Sequence, residues 1–179
     1  MTRTQLEHII RAAGAITDDK TILVLGSQAI LGAFPNPPSP LDVSREADVC
    51  PWNAPEKIDL ISGAIGEVSQ FDSTFGYYAH GLPPESCPLP SGWQDRLVKF
   101  QNENTGGITA LCLDPLDIAC SKLVARRQKD TEFVGAMLRH RLIERSTLEA
   151  RIALLPDDEQ RDVAKQSLIV CLEAARARR

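Results

Sequence analysis

The apolar run Ile22-Leu23-Val24-Leu25, closed at once by Gly26-Ser27, constrains this chain more than any other stretch. Unbroken branched and leucine side chains ahead of a turn signal read as a short buried strand. The Gly-Ser pair, followed by Gln28-Ala29-Ile30-Leu31, reads as a tight turn into a helix. Such a turn aims backbone N–H groups and a hydroxyl at whatever sits above the strand end, a geometry suited to phosphate. Further along, Glu46-Ala47-Asp48-Val49 alternates acidic with small or apolar residues, which places Glu46 and Asp48 on one face of a second strand. Carboxylates this close repel unless a cation lies between them. Beside a phosphate-binding turn, the pair suits a divalent metal held against a triphosphate. The plainer readings are an ordinary turn and a solvated strand edge.

The whole chain sets wider bounds. Its 179 residues suit one domain, or one domain with a small helical extension, and 43% hydrophobic content is enough to bury a core. A net charge of −4 argues against a protein built mainly to coat nucleic acid. Arg126, Arg127 and Lys129 form one basic knot, and Arg176, Arg178 and Arg179 form another. Both read as solvated helix ends, or, for the first, as a contact for phosphate or RNA. The five cysteines show no metal-ligand spacing and read as reduced thiols, with Cys112, Cys120 and Cys171 as small core fillers. No apolar run is long enough to span a membrane and the start is not a signal peptide, so the expected location is cytoplasmic.

Leu6, Ile9, Ile10, Ala13 and Ile16 recur at helical spacing and predict an opening amphipathic helix. A strand over 21–25, the Gly-Ser turn and a short helix to about Phe34 follow. The prolines between Pro35 and Pro40 exclude regular structure. A second strand covers 44–50 and a helix 54–65, with strands at 75–82, 95–100 and 109–113. From Asp114-Pro115, a cap followed by a first-turn proline, helices are expected over 115–125, 131–140, 146–155 and 157–178. The fold class is therefore α/β (α+β): a small mixed sheet flanked by helices, residues 1–113, with a helical part, 114–179, packed on it.

The Gly-Ser turn followed by an acidic–apolar–acidic–apolar strand resembles the nucleotidyltransferase superfamily, with its DNA polymerase beta-like fold. The resemblance implies an NTP substrate, Mg²⁺ (or Mn²⁺), Gly26 and Ser27 on the β- and γ-phosphates, and Glu46 and Asp48 as metal ligands. A second segment, Asp114 to Arg126 with Lys129-Asp130, is similar to the AbiEii-type branch, known mainly as toxins of bacterial toxin–antitoxin systems. More closely, the chain looks like an uncharacterised bacterial group from Ile22 through Leu142, including Gly-Trp-Gln-Asp-Arg-Leu and Ser-Lys-Leu-Val-Ala-Arg. That branch implies Lys122 and Arg126, on one helix face, neutralising triphosphate oxygens. Asp130 would then orient a cation or help position the acceptor. The alternative is a solvated face with Asp130 capping the next helix.

The chain departs from the superfamily pattern at the third carboxylate. Tyr77-Tyr78-Ala79-His80 stands where it is expected, so His80 takes its place, a base near neutral pH but a poor Mg²⁺ ligand. Asp95 is a substitute candidate, alternatively salt-bridged to its neighbour Arg96. Trp52 could stack a base or pack on the sheet edge; Trp93 reads as an anchor, and one of Tyr77 and Tyr78 as core. His8 and His140 show no evident partner. The expected activity is transfer of an NMP from an NTP to a hydroxyl on a tRNA 3′ end or a protein side chain, with a cognate antitoxin as a possible partner. The alternative is a catalytically silent nucleotide-sensing or partner-binding module.

Overall fold

Thr2 opens the first helix, α1 (Arg3–Thr17), by a reciprocal cap: its hydroxyl accepts from Gln5 N–H while the Gln5 side chain accepts from Thr2 N–H. In this computed structural model residues 1–177 are described, with side chains as far as Glu173. Arg178 and Arg179 lie outside the described residues, as does the side chain of Arg176.

Strand β1 (Thr21–Leu25) is central in a five-stranded sheet of order β3-β2-β1-β5-β4. Its neighbours are β2 (Glu46–Pro51), antiparallel, and β5 (Thr109–Cys112), parallel. The outer strands are β3 (Tyr78–Gly81), parallel to β2, and β4 (Val98–Phe100), antiparallel to β5. A strand paired on both edges and covered on both faces has no place for polar side chains, which is why 22–25 is continuously apolar. Ile22, Leu23, Val24 and Leu25 are at most 1% exposed. Helix α1 buries Leu6, Ile9, Ile10 and Ala13 against β1, β2 and α3 (Ile58–Ile65), and each large side chain so covered contributes about 1.5–3 kcal/mol. Helix α2 (Ile30–Ala33) lies on β5 so closely that a Cβ added at Gly32 would meet Cys112 Cβ at 2.5 Å.

Buried carboxylates tie the loops to this frame. Glu7 accepts from Asn102 Nδ2 at 2.7 Å, Asn104 Nδ2 at 2.9 Å and Arg3 Nε at 3.0 Å. Asp19 accepts from Thr21 N at 2.9 Å, Asn53 N at 2.7 Å and Asn53 Nδ2 at 2.8 Å, joining the start of β1 to the end of β2. Trp52 N–H donates to Thr21 O, extending the same ladder, and the Trp52 side chain is half-exposed.

Helix α4 (Gln70–Phe75) is an element the sequence pattern does not announce. Ser69 caps it by accepting from Asp72 N–H, and Gly76 ends it in the left-handed region. The strand expected over 75–82 is therefore shortened to Tyr78–Gly81. Helix α4 completes an aromatic cluster of His8, Phe71, Phe75 and Tyr77, in which His8 Nδ1 lies 2.8 Å from the Tyr77 hydroxyl. His8 thus has the partner that the sequence did not reveal. Tyr77 is the buried member of the tyrosine pair.

The chain divides into two compact units, Met1–Ser86 with Leu97–Leu113, and Cys87–Arg96 with Asp114 onward. The second contains α5 (Pro115–Ala125), α6 (Gln128–Arg139), α7 (Arg145–Ile152) and α8 (Asp158–Ala177). Asp114 caps α5 as expected, accepting from Leu116 N–H with Pro115 in the first turn. Asp117, fully buried, receives a two-pronged guanidinium from Arg96 (both contacts 3.0 Å) and a third donor from Arg151 at 2.7 Å. Segment 87–96 is thereby held on the helices. Its residues 93–96 form a 3₁₀ turn rather than the start of a strand, and Asp95 is exposed while Arg96 is committed to Asp117.

Cys50, Cys112, Cys120 and Cys171 are buried. Burial pushes the Cys50 and Cys171 thiols up to about 11 and Cys112 up to about 12, so these groups remain protonated at neutral pH. No helix among the described residues is long and apolar enough to cross a membrane.

Candidate functional site

Two pairings assemble the site in the first unit. Alternation along β2 buries Ala47 and Val49 and leaves Glu46 and Asp48 partly exposed on the opposite face. Parallel pairing with β3 sets Glu46 opposite Tyr78 and Asp48 opposite His80. His80 Nδ1 stands 3.3 Å from Asp48 Oδ1 and 3.5 Å from Glu46 Oε1. His80 is thus brought into contact with both acids. Tyr78 shares their face, where burial first and then the Glu46 charge push its hydroxyl pKa up. Sequence reasoning gave Tyr78 no role; its two-residue spacing from His80 was the available signal.

Antiparallel pairing sets Leu25 opposite Asp48, which brings the following turn onto the carboxylate. Gly26 has φ +60° and ψ −155°, a combination essentially reserved for glycine. A Cβ there would stand 2.1 Å from Asp48 Oδ2. The turn continues as a 3₁₀ segment, Ser27–Ala29, with no side chain capping its start. Glu46, Asp48 and His80 therefore lie together beside Gly26, with Ser27 next in the turn. Gln28, within the same turn, is 1% exposed, and neither atom of its amide has a hydrogen-bond partner among the described residues.

The residue types suit a divalent cation. One ligand atom each from Glu46, Asp48 and His80 lies within 4.8 Å of the other two. Ligands about 2.0–2.2 Å from a shared ion stand about 3 Å apart when adjacent, close to the 3.3 Å and 3.5 Å that separate His80 Nδ1 from the two acids.

The second unit holds the remaining candidates. Lys122 Nζ donates to Asp130 Oδ1 at 2.9 Å and Arg127 Nε to Asp130 Oδ2 at 2.6 Å, while Asp130 is fully buried. Lys122 Nζ also lies 4.6 Å from the Phe133 ring centre. Burial alone would raise the Asp130 pKa; hydrogen bonds from Arg127 and Lys122 reverse that and hold it low. Burial pulls the Lys122 pKa down despite the carboxylate. The expected shared face for Lys122 and Arg126 does not form. Helix α5 ends at Ala125, and Arg126 is its left-handed cap, exposed, so Arg127 joins Lys122 instead.

Residues 4–168 match the family described as nucleotidyltransferase of unknown function (DUF6036). The chain belongs to this nucleotidyltransferase family. No curated protein and no solved structure matches it. The family description leaves the substrate and acceptor of this nucleotidyltransferase open.

Proposed function

We propose that this nucleotidyltransferase transfers an NMP from an NTP to a hydroxyl acceptor, an RNA 3′ end or a protein side chain, with release of pyrophosphate. The observation that carries this reading is the convergence of Glu46, Asp48 and His80, with Asp48 lodged against the Gly26 backbone. A divalent ion, Mg²⁺ or Mn²⁺, held by these side chains would supply positive charge to the phosphate oxygens. The Ser27 hydroxyl and the N–H groups opening the 3₁₀ segment bind phosphate oxygens of the NTP. The acceptor oxygen bonds to the α-phosphorus as the bond to the bridging oxygen of the β-phosphate breaks, and the hydroxyl proton passes to solvent. The protein's contribution is positioning and charge neutralisation.

The AbiEii-type resemblance assigns Lys122 and Arg126 to triphosphate charge and Asp130 to orienting a cation. The Lys122–Asp130 hydrogen bond supports the orienting role, and Arg127 is added to it. A toxin role with a cognate antitoxin rests on that resemblance; growth arrest of a bacterial host, relieved by Asp48→Ala, is its test.

A nucleotide-sensing module is the second reading, favoured by histidine standing where a carboxylate is usual. Purified protein and Asp48→Ala, incubated with each α-labelled NTP, Mg²⁺ or Mn²⁺, total RNA and a protein lysate, separate the two. Label in an RNA or protein band that the variant does not produce supports transfer and identifies the acceptor class. Metal-dependent NTP binding with no label in any band supports sensing.

A further inference from the structure

His80 changes what the cluster can hold. Its ring nitrogen faces both acids at the separations of adjacent ligands on one ion, 3.3 Å and 3.5 Å. Asp48 is fixed from two sides, Oδ1 toward His80 and Oδ2 against the Gly26 backbone. An ion pair between partly exposed groups contributes little by itself, so pairing alone is a weak reason for two strands to converge these three side chains. Mg²⁺ takes oxygen ligands and keeps its waters, whereas Mn²⁺, Co²⁺ and Zn²⁺ accept imidazole increasingly well. We propose that His80 Nδ1 is a direct metal ligand beside Glu46 and Asp48, and that it turns this site from Mg²⁺ toward Mn²⁺ and later divalent transition metals. The inference rests on the nucleotidyltransferase reading of the site and specifies its metal. Two carboxylates retain enough charge to hold a hard ion; the third donor sets the preference among ions.

The test uses the full chain, stripped of metal and given metal alone. Loss of the free Mn²⁺ spin-resonance signal measures affinity, Mg²⁺ competition gives the selectivity ratio, and spin-echo modulation detects ¹⁴N bound to Mn²⁺. Wild type, His80→Asp and His80→Gln are compared, with a thermal melt of each to establish that it folds. One Mn²⁺ site with ¹⁴N modulation is expected in the wild type and no modulation in either variant. His80→Asp should lower the Mn²⁺ over Mg²⁺ preference about tenfold. Bound Mn²⁺ without ¹⁴N modulation, or an unchanged ratio in folded His80→Asp, would overturn the inference and leave nucleotidyl transfer standing. Failure of folded wild type to bind any of these ions would overturn both the selectivity and the metal role. Neither readout uses turnover, so absence of labelled product would count against the transferase reading without touching this result.

Discussion

The Asp48 carboxylate occupies the space that a side chain at Gly26 would need, with Oδ2 only 2.1 Å from where a Cβ would stand. The turn and the acidic strand are consequently one steric unit, not two adjacent motifs. Gly26→Ala must both hold a positive φ and displace the carboxylate. The expected cost is about 1–3 kcal/mol in urea denaturation, with weaker metal binding. An unchanged midpoint with unchanged metal affinity would show that Asp48 rotates away freely.

Gln28 is the one described side chain with buried polar atoms lacking a partner. An unsatisfied buried polar group costs about 1–3 kcal/mol. Gln28→Met, similar in volume, is expected to raise the thermal midpoint by about 2–4 °C for each kcal/mol recovered. A lower midpoint would mean that the amide contacts a buried water whose hydrogen bonds methionine cannot replace.

Asp130 holds Lys122 and Arg127 from a fully buried position. Its removal strands the Lys122 ammonium, which is itself only 12% exposed. Asp130→Ala is expected to destabilise the protein by about 3–5 kcal/mol, and combining Asp130→Leu with Lys122→Met should recover most of that. Additive losses in the double-mutant cycle would refute a coupled pair.

Acid sensitivity follows from Glu7, Asp19 and Asp130. Burial would raise the pKa of each, but the asparagine and arginine donors on Glu7, the Asn53 and backbone donors on Asp19, and the two cations on Asp130 bring all three below the ordinary carboxylate value. The unfolded chain then takes up protons first as pH falls. Stability from these groups is complete above the unfolded value, about 4, and is lost as pH drops through the lower folded values. Denaturant midpoints should therefore fall most steeply below about pH 5, with a shallower decline there in Asp19→Asn.

Period and order made much of this legible. The apolar run at Ile22, the alternation at Glu46 and Asp48, and the Asp114-Pro115 helix start each act through nearest neighbours, and each is found where the pattern put it. His80 followed from its strand position, though only the β2–β3 register sets it against Asp48. What escaped depends on distant partners or on one residue of helix length. The four-residue spacing of Lys122 and Arg126 means a shared face only inside a helix, and α5 stops one residue short. His8 meets Tyr77 through the fold, not through any local spacing. Asp117 reads as an ordinary helix acid until Arg96 and Arg151 arrive from elsewhere in the chain.

The same Arg96–Asp117 clasp bears on how the protein can be dissected. Because residues 87–96 belong with the helices while 97–113 return to the sheet, the backbone passes from one unit to the other more than once. A fragment ending at Leu113 would carry Arg96 without the carboxylate that anchors it, and one starting at Asp114 would leave Asp117 without that arginine. No single cut liberates either half intact. Separate expression calls for a graft: a short linker replacing 87–96 in the sheet unit, and that decapeptide restored by fusion to the helices.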